Sequence, residues 1–400
     1  MRIVIAPDKF KGSLEAPEVA EALAGGIRRG AGGDAPEIVC VPVADGGEGT
    51  VAAAVAAGFT EQRCTVTGPT GHGVGAAWAL RPGTDGEAVI ELATASGLGV
   101  LPHRDGRPVL APLESSSIGT GELIRAALDA DATRIVVGVG GSACTDGGAG
   151  MLTALGVRLL DSRGRDLPPG GAALADLARV DLSGLDPRIA GTEFVLAADV
   201  DHPLIGERGA AAVFGPQKGA TGAEVALLDD ALAHWRDALA AAHGHGAPSE
   251  AIIDAAAAPG AGAAGGVGFA ALAVLGATRR PGIDMVLEFT GLAATLAGPP
   301  PAALVITGEG SLDEQSIGGK SQMGVARAAS AAGVPVHAVC GRTTLSRDQV
   351  TDAGFVGVDA LTDLTDDLEE CMTNTAELLG RIGETIAGRL GSGVPDQETL

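Results

Sequence analysis

The chain has 400 residues and only four lysines, against twenty-three arginines. All four lysines stand in short motifs flanked by Gly, Ser or Gln, namely Asp8-Lys9-Phe10-Lys11-Gly12-Ser13, Pro216-Gln217-Lys218-Gly219 and Gly318-Gly319-Lys320-Ser321. An ammonium group is a compact point charge that suits phosphate oxygens, whereas a guanidinium is a planar fork. We interpret the lysines as candidate anion ligands. The alternative is that an Arg-biased composition left a few lysines by chance.

Six carboxylates follow predicted strands. They are Asp8, Asp45, Asp199, Asp201, Glu309 and Asp313. In a chain with fifty acidic residues, any one of them alone is more typical of a turn or a helix cap. Their shared position suggests a metal–phosphate site, because hard oxygen ligands suit Mg²⁺. Lysines together with carboxylates are also what phosphoryl transfer requires.

A glycine-rich loop at Gly140–Gly150 follows a strand predicted at 134–139 and precedes a predicted helix. Consecutive N–H groups in such a loop can bind a phosphate, although tight packing between a strand and a helix explains many loops of this kind. The loop lacks the G-x-G-x-x-G dinucleotide fingerprint. Glu314 stands where a Walker A motif ending in Lys320-Ser321 needs its first Gly, which argues against a P-loop NTPase.

The first elements that must position these residues alternate between strand and helix. Hydrophobic patterning predicts strands at 2–5 and 38–43, with helices at 13–29 and 51–57. Ser13 is a candidate N-cap of the first helix. This βαβα order favours a parallel sheet that binds ligands at the carboxyl ends of its strands.

After residue 64 the sequence pattern changes from alternating strands and helices to short strand-like segments with Gly and Pro. This change predicts an inserted domain. Residues 64–91 read as antiparallel hairpins, whereas strands predicted at 303–307 and 336–339 resemble a return to the first sheet. We therefore predict an α/β protein with a Rossmann-like parallel-sheet domain formed by both chain ends. The predicted division assigns 1–65 and 284–400 to that domain, and 66–283 to a second, inserted α/β domain.

The net charge and the cysteine content indicate which partners the protein can have and where in the cell it is found. The formal charge of −23 argues against nucleic acid and anionic membrane surfaces as partners. Five widely spaced cysteines without a C-x-x-C pair are typical of reduced thiols, so we expect a cytoplasmic protein without disulfides or a zinc site. Residues 255–277 carry no charge, but their Pro and Gly content favours a loop and a buried helix over a membrane span.

At the motifs described above, the sequence closely resembles the bacterial glycerate kinase family, the type unrelated to P-loop kinases. The matching blocks are Ile5–Ser13, Pro42–Thr50, Glu114–Glu122, Gly140–Gly148, Asp199–Asp201 with Phe214–Gly219, and Thr307–Asp313. They cover nearly the whole chain in order. The resemblance implies transfer of the γ-phosphate of ATP to glycerate, the cofactors ATP and Mg²⁺, and an active site in a cleft between two α/β domains.

Residue roles are hypotheses from chemistry. Glycerate and ATP are both anions, so we assign Lys9 and Lys11 to the substrate carboxylate and the transferring phosphoryl group, and Asp199 to the catalytic base, with Asp45 second. The other expected substrate contacts are Asp8, Ser13, Glu48, Ser116 and Ser117. The expected nucleotide contacts are Gly140, Gly141, Ser142, Thr145, Asp146, Lys218 and Lys320. Glu309 and Asp313 are placed near the metal.

Several alternatives stay open. The favoured product is 2-phosphoglycerate, with a 3-phosphoglycerate-forming enzyme or a kinase for a related hydroxy acid as alternatives. A non-catalytic small-acid-binding protein is more remote, and the missing dinucleotide fingerprint disfavours a nicotinamide-dependent dehydrogenase. A homodimer is kept as a candidate assembly, because the sequence does not fix the oligomeric state.

Overall fold

The computed structural model describes residues 1–83, 86–244, 247–317 and 321–391. Its strands are β1 (Arg2–Pro7), β2 (Glu37–Cys40), β3 (Thr60–Thr67), β4 (Gly73–Leu80), β5 (Glu87–Glu91), β6 (His103–Arg104), β7 (Arg107–Pro108), β8 (Arg134–Gly138), β9 (Arg158–Leu160), β10 (Arg179–Asp181), β11 (Glu193–Ala197), β12 (Thr278–Arg280), β13 (Ala302–Leu312), β14 (Val336–Thr343) and β15 (Gly357–Ala360).

The α-helices are α1 (Ala16–Ala31), α2 (Thr50–Ala56), α3 (Ala93–Ser96), α4 (Ile118–Asp129), α5 (Ala149–Ala154), α6 (Ala210–Phe214), α7 (Gly222–His243), α8 (Glu250–Ala257), α9 (Ala263–Ala273), α10 (Gly282–Thr290), α11 (Leu292–Ala297), α12 (Glu314–Ile317), α13 (Ser321–Ala331), α14 (Arg347–Asp352), α15 (Leu368–Thr373) and α16 (Thr375–Gly391). Short 3₁₀ helices lie at Gly32–Asp34, Leu98–Val100, Ala172–Asp176, Pro187–Gly191, Pro216–Lys218 and Leu361–Asp363.

The chain divides into two compact units. Unit 1 comprises Met1–Asp45, Ala52–Ala57 and the chain from Ile283 onward, and unit 2 comprises Gly46–Val51 and Gly58–Gly282. The predicted boundary at residue 65 differs from this division, because β3 pairs with β4 along its whole length and so belongs to the sheet of unit 2.

The sheet of unit 1 is parallel throughout, in the order β15-β14-β13-β1-β2. Its strands come from both ends of the chain, which confirms the predicted Rossmann-like architecture. The chain runs outward from β1 in one direction and from β13 in the other. The carboxyl ends of these two adjacent strands therefore form a topological switch point, where open α/β sheets bind ligands.

One face of this sheet is covered by the first and last helices. The α1 side chains Val19, Leu23 and Ile27 are fully buried in a core that also includes residues of β1 and α16. A Cβ atom at Gly26 would lie 2.0 Å from the Gly380 carbonyl oxygen, so α1 and α16 touch through their backbones. This close packing explains the small residues in both helices.

The first helix begins later than predicted. Its N-cap is Glu15, whose N–H donates to the Glu18 carboxylate at 2.9 Å. The prediction of Ser13 as N-cap is wrong, because the Ser13 hydroxyl instead donates to the Met372 carbonyl at 2.9 Å. Pro17 occupies the first turn of α1, where a missing N–H costs nothing.

The sheet of unit 2 is mixed, in the order β12-β11-β8-β5-β4-β3. Strands β5, β8, β11 and β12 are parallel, and β3 and β4 pair antiparallel, which confirms the predicted hairpins. The uncharged stretch at 255–277 forms the end of α8 and the buried helix α9. Across the described part of the chain, helices that combine the length and the apolarity needed to cross a bilayer are absent.

Candidate functional site

Asp8 lies at the carboxyl end of β1, at the switch point of the unit 1 sheet. Its Oδ1 accepts a hydrogen bond from the Lys9 N–H at 2.7 Å, and its Oδ2 accepts one from the Ser321 hydroxyl at 2.6 Å. Burial of the carboxyl raises the pKa of Asp8 to about 7, with the negative charges of Asp45 and Glu309 adding to the rise and the two hydrogen bonds opposing it. Asp45 and Glu309 therefore both lie close enough to Asp8 to act on its charge.

The two N-terminal lysines stand in a tight loop beside Asp8. Phe10 is buried, and its N–H donates to the Leu14 carbonyl at 2.8 Å, which anchors the loop. Lys9 is half-buried and Lys11 is exposed. The loop thus presents two ammonium-bearing residues next to a mostly dehydrated carboxyl group.

Ser13, predicted to bind substrate, takes part in a different contact. Its hydroxyl contacts Thr375 in addition to the Met372 carbonyl, so it ties the lysine loop to the junction of α15 and α16. This contact accounts for the position of Ser13 without a ligand. Its role in substrate binding stays a prediction.

Two residues at the start of α13 belong to this edge and were missed by sequence reasoning. Ser321 and Gln322 are both fully buried. The Gln322 side-chain amide donates to the Gly308 carbonyl at 3.1 Å, and the same oxygen accepts from the Asp8 N–H at 2.8 Å. The available signal was the Ser-Gln pair that follows Gly-Gly-Lys. Lys320 itself lies outside the described residues.

The predicted metal ligands are separated by an unexpectedly long strand. The strand predicted at 303–307 is longer in the structure, because β13 continues to Leu312 and Glu309 pairs within it opposite Cys340. Asp313 follows the end of this strand, about 13 Å of extended chain beyond Glu309, and the assignment of both residues to the metal stays a prediction. The Asp313 carboxylate accepts from the Ser316 N–H at 3.2 Å and caps α12.

The described ranges contain no group of three His, Cys, Asp or Glu residues arranged to hold a metal ion. Mg²⁺ is usually held by one or two carboxylates together with substrate phosphates and water. The half-buried Glu309 at the switch point, close to Asp8 and Asp45, fits that pattern. Its assignment to the metal stays a prediction.

In unit 2, a buried carboxylate holds the turn that carries Glu48. Glu91 ends β5 and is 4% exposed, and its Oε1 accepts from the Gly49 N–H at 3.0 Å and the Val51 N–H at 2.5 Å. Glu48 itself is exposed. Sequence reasoning missed Glu91, because nothing local distinguishes it from other acidic residues.

The same turn packs against the glycine-rich loop after β8. A Cβ atom at Gly138 would lie 2.3 Å from the Gly46 carbonyl oxygen, and one at Gly140 would lie 2.6 Å from the Gly47 Cα. Glycine is therefore required at 138 and 140 for packing alone. This requirement is independent of any bound phosphate.

Asp146 is the centre of a buried network. Its Oδ2 accepts from the hydroxyls of Ser116 and Ser117, both at 3.0 Å, and from the Ser117 N–H at 2.8 Å. Its Oδ1 accepts from the Gly148 N–H at 3.2 Å. The structure brings these three predicted ligands together, but they bind one another and the first turns of α4 and α5. Their roles in ligand binding stay predictions.

Among the remaining predicted nucleotide ligands of unit 2, Ser142, Thr145 and Lys218 are buried, whereas Gly141 is exposed. The Thr145 hydroxyl donates to the Pro112 carbonyl at 2.6 Å, and the Lys218 ammonium donates to the Cys144 carbonyl at 2.6 Å. Ser142 is 8% exposed. Burial or a hydrogen bond within the protein therefore accounts for the position of each of these three side chains without a ligand.

Asp199, the predicted base, follows β11 and is exposed. Its Oδ1 accepts from the Gly282 N–H at 2.8 Å, which fixes its orientation. Asp201 forms an ion pair with Arg279 at 2.6 Å. The role of Asp199 as the catalytic base stays a prediction.

Unit 1 carries lysines and carboxylates at the switch point of its parallel sheet, and the same chain carries a second α/β unit. This architecture defines the class of α/β proteins whose ligands bind at the carboxyl ends of parallel strands. The profile described as the glycerate kinase family matches residues 3–391. The chain belongs to that family.

Individual relatives agree along almost the full length. A protein named glycerate kinase from Bacillus subtilis (strain 168) is 44% identical over 98% of both chains, and one named glycerate 2-kinase from Escherichia coli (strain K12) is 42% identical over 98% of this chain and 99% of its own. A crystal structure of a candidate glycerate kinase 2 from Salmonella typhimurium LT2 superposes with a TM-score of 0.82, at 41% identity, over 98% of this chain and 99% of that one.

Proposed function

We propose that the chain is a kinase that transfers a phosphoryl group from ATP to D-glycerate and forms 2-phosphoglycerate. The curated relatives named glycerate kinase and glycerate 2-kinase support the activity and the position of transfer. The structural observation that carries the proposal is the lysine loop beside Asp8 at the switch point of the unit 1 sheet. A site of this kind offers cations to two anionic substrates.

Lys9 and Lys11 supply the positive charge in this mechanism. Glycerate carries a carboxylate and approaches a polyanionic nucleotide, so their mutual repulsion must be offset in the transition state. Preorganised cations act strongly in a site from which water is excluded. We assign the two lysines to the substrate carboxylate and the transferring phosphoryl group.

Asp199 is the proposed base, with Asp45 as the second candidate. A carboxylate that accepts the proton of the attacking hydroxyl must be held in a fixed orientation. The hydrogen bond from the Gly282 N–H provides this for Asp199. Asp45 is exposed and lies close enough to Asp8 to raise its pKa.

Glu309 is the proposed protein ligand of Mg²⁺, and Gly140–Ser142 are the proposed contacts of the nucleotide phosphates. When bound, the metal would neutralise charge on those phosphates. The hard oxygen donors of Glu309 and its carboxylate neighbours suit this ion. The interdomain cleft implied by the family resemblance stays a prediction.

The proposed partners are small molecules, not nucleic acid or membrane, which the charge of −23 supports. All five cysteines are free in the described chain, which supports the proposed cytoplasmic location. A homodimer stays the predicted assembly.

Phosphorus NMR of the product, after incubation of purified protein with D-glycerate and Mg-ATP, tests the function. A 2-phosphoglycerate signal is the expected result. A 3-phosphoglycerate signal would keep the kinase and reverse the position of transfer. If no new phosphoester forms, the proposal fails for this substrate, and the related hydroxy acids become the next candidates.

The lysine loop gives the first prediction. Lys9→Ala should lower kcat/KM about 100-fold, because it removes a cation that faces developing negative charge. Circular dichroism should show an intact fold. Arg347→Ala removes an exposed cation of the same unit and is the matched control. Near-normal turnover of Lys9→Ala would remove Lys9 from the mechanism.

A further inference from the structure

Lys218 is a fully buried lysine beneath the glycine-rich loop. The residue is 2% exposed, and its ammonium donates to the Cys144 carbonyl at 2.6 Å. Burial lowers the pKa of Lys218, and nearby negative charge, including that of Asp146, opposes the shift. Buried cations are costly unless they are paired and hydrogen-bonded. The fully buried Asp146 supplies the charge, and Cys144 supplies the acceptor.

The rest of the loop is fastened to the core of unit 2 on both sides of Cys144. The Ala143 N–H donates to the Ser96 carbonyl at 2.9 Å, and the Gly147 N–H donates to the Gly265 carbonyl at 2.9 Å. The Trp235 indole N–H donates to the Gly147 carbonyl at 3.0 Å. Residues 143–148 are therefore held in place by the protein itself.

Gly140 packs on Gly47, so Gly140–Ser142 is the part of the loop beside the turn that carries Glu48. The Gly141 carbonyl accepts from the Leu98 N–H at 2.9 Å, and Ser142 pairs with Gly97. The Lys218 ammonium is buried and bonded to the Cys144 carbonyl. A buried amine that already donates to a backbone carbonyl is poorly placed to bind a phosphate. It is well placed to fix the path of the loop.

We propose that Lys218 is a positioning residue, which fixes the Cys144 carbonyl and thereby the Gly140–Ser142 segment, and that it does not touch the nucleotide. The role of that segment rests on the proposed function. Lys218 therefore does not make the direct nucleotide contact expected from the sequence.

Amine labelling tests the burial of Lys218 independently of activity. The full chain is treated with an N-hydroxysuccinimide acetate reagent, with and without Mg-ATP, and the acetylated lysines are identified by peptide mass spectrometry. With four lysines in the chain, the result is simple to assign. We expect Lys11 to react readily and Lys218 to stay unmodified in both samples until the protein is denatured. Modification of Lys218 in the free protein with protection by Mg-ATP would overturn the proposal.

Kinetics of Lys218→Met test the positioning role, with Arg208→Met as a control that removes an exposed cation of the same unit. We expect the KM for ATP to rise at least tenfold while the KM for glycerate changes less than twofold, after correction for the folded fraction. An equal loss for both substrates would mean a purely structural role and would overturn the proposal. If Lys218→Met does not fold, Lys218→Arg is used, which keeps the charge but changes the donor geometry.

Failure of the proposed function is distinguishable from failure of this inference. A wild-type chain that forms no phosphoglycerate rejects the kinase. The labelling pattern of Lys218 then still decides whether its amine is buried, because that measurement needs no turnover.

Discussion

At the scale of single residues, Asp8 is an acid in a site that is proposed to bind anions. Its carboxyl group is largely removed from water and lies near the acids Asp45 and Glu309, beside the loop that carries Lys9 and Lys11. A protonated Asp8 does not repel an anionic substrate, and a pKa of about 7 keeps a large neutral fraction near neutrality. A neutral Asp8 would thus lower the negative charge beside Lys9 and Lys11, the residues proposed to bind the anionic substrates.

The raised pKa of Asp8 has a cost in stability, with a defined sign. The folded protein holds this proton up to about pH 7, whereas the unfolded chain releases it near pH 4. Folded protein therefore binds more protons between these values, and the free energy of unfolding falls as pH rises through that window. Above pH 7 the penalty is constant.

Asp8→Asn should remove this penalty. We expect the variant to gain stability over the wild type, with the gain growing by about 2–3 kcal/mol between pH 5 and pH 8. Urea unfolding at the two pH values, without Mg²⁺, measures it. Asp352→Asn changes an exposed acid of the same unit and should show no such growth. A gain that is independent of pH would mean that Asp8 has an ordinary pKa.

At the scale of elements, the sequence predicted which strands and helices exist better than where they end. The hairpins and the strands β1, β8, β11 and β13 followed from the sequence pattern, whereas the edge strands β12 and β15 were not predicted. The end of β13 was also not predicted. Its last residues, Glu309-Gly310-Ser311, are typical of a loop, but pairing of Ser311 with Arg342 in β14 keeps them extended. Long-range pairing overrides local propensity there.

The hydrogen bonds that hold the candidate site residues in place also join distant parts of the chain. Asp146 contacts Ser116 across thirty residues of sequence, and Ser321 contacts Asp8 across 313. No local pattern encodes such contacts. The sequence therefore identified polar residues at strand ends, but it could not separate those that hold the loops from those that face a ligand.

The Glu91 side chain holds the turn that carries Glu48, so a substitution of Glu91 tests the importance of that turn. Glu91→Ala leaves the Gly49 and Val51 N–H groups without their acceptor, and we expect a loss of about 2–4 kcal/mol of stability. Displacement of Glu48 should also lower kcat/KM by about tenfold or more. Chemical denaturation and steady-state kinetics measure the two effects.

The matched control is Glu91→Gln. Its amide oxygen can accept both N–H groups in place of the carboxylate oxygen, so the turn should persist and most of the stability should remain. Equal losses in the two variants would show that the charge of Glu91 matters and not its role as an acceptor. Wild-type behaviour of Glu91→Ala would show that the turn is held by other contacts.

At the scale of the whole molecule, the two units differ in how much of the chain their sheets need. Unit 2 draws all six strands of its main sheet from residues 60–280, and its hydrophobic core from residues 66–275. Unit 1 needs both ends of the chain, because β1 pairs with β13 on one side and β2 on the other. The first unit therefore needs strands that come late in the sequence, whereas the second lies within the continuous segment 58–282 except for the turn Gly46–Val51.

Residues 58–282, expressed alone, should therefore fold into a cooperative domain without kinase activity. Thermal unfolding should show a single sharp transition, and amide NMR signals should be dispersed. The longer fragment 1–282 provides the comparison, because it contains β1 and β2 but lacks the three other strands of their sheet. In that fragment, hydrogen exchange should be slow within 58–282 and fast within 1–45. A molten 58–282 fragment would mean that unit 2 depends on unit 1 for its packing, and protected amides in 1–45 would mean that two strands of the first sheet suffice without β13.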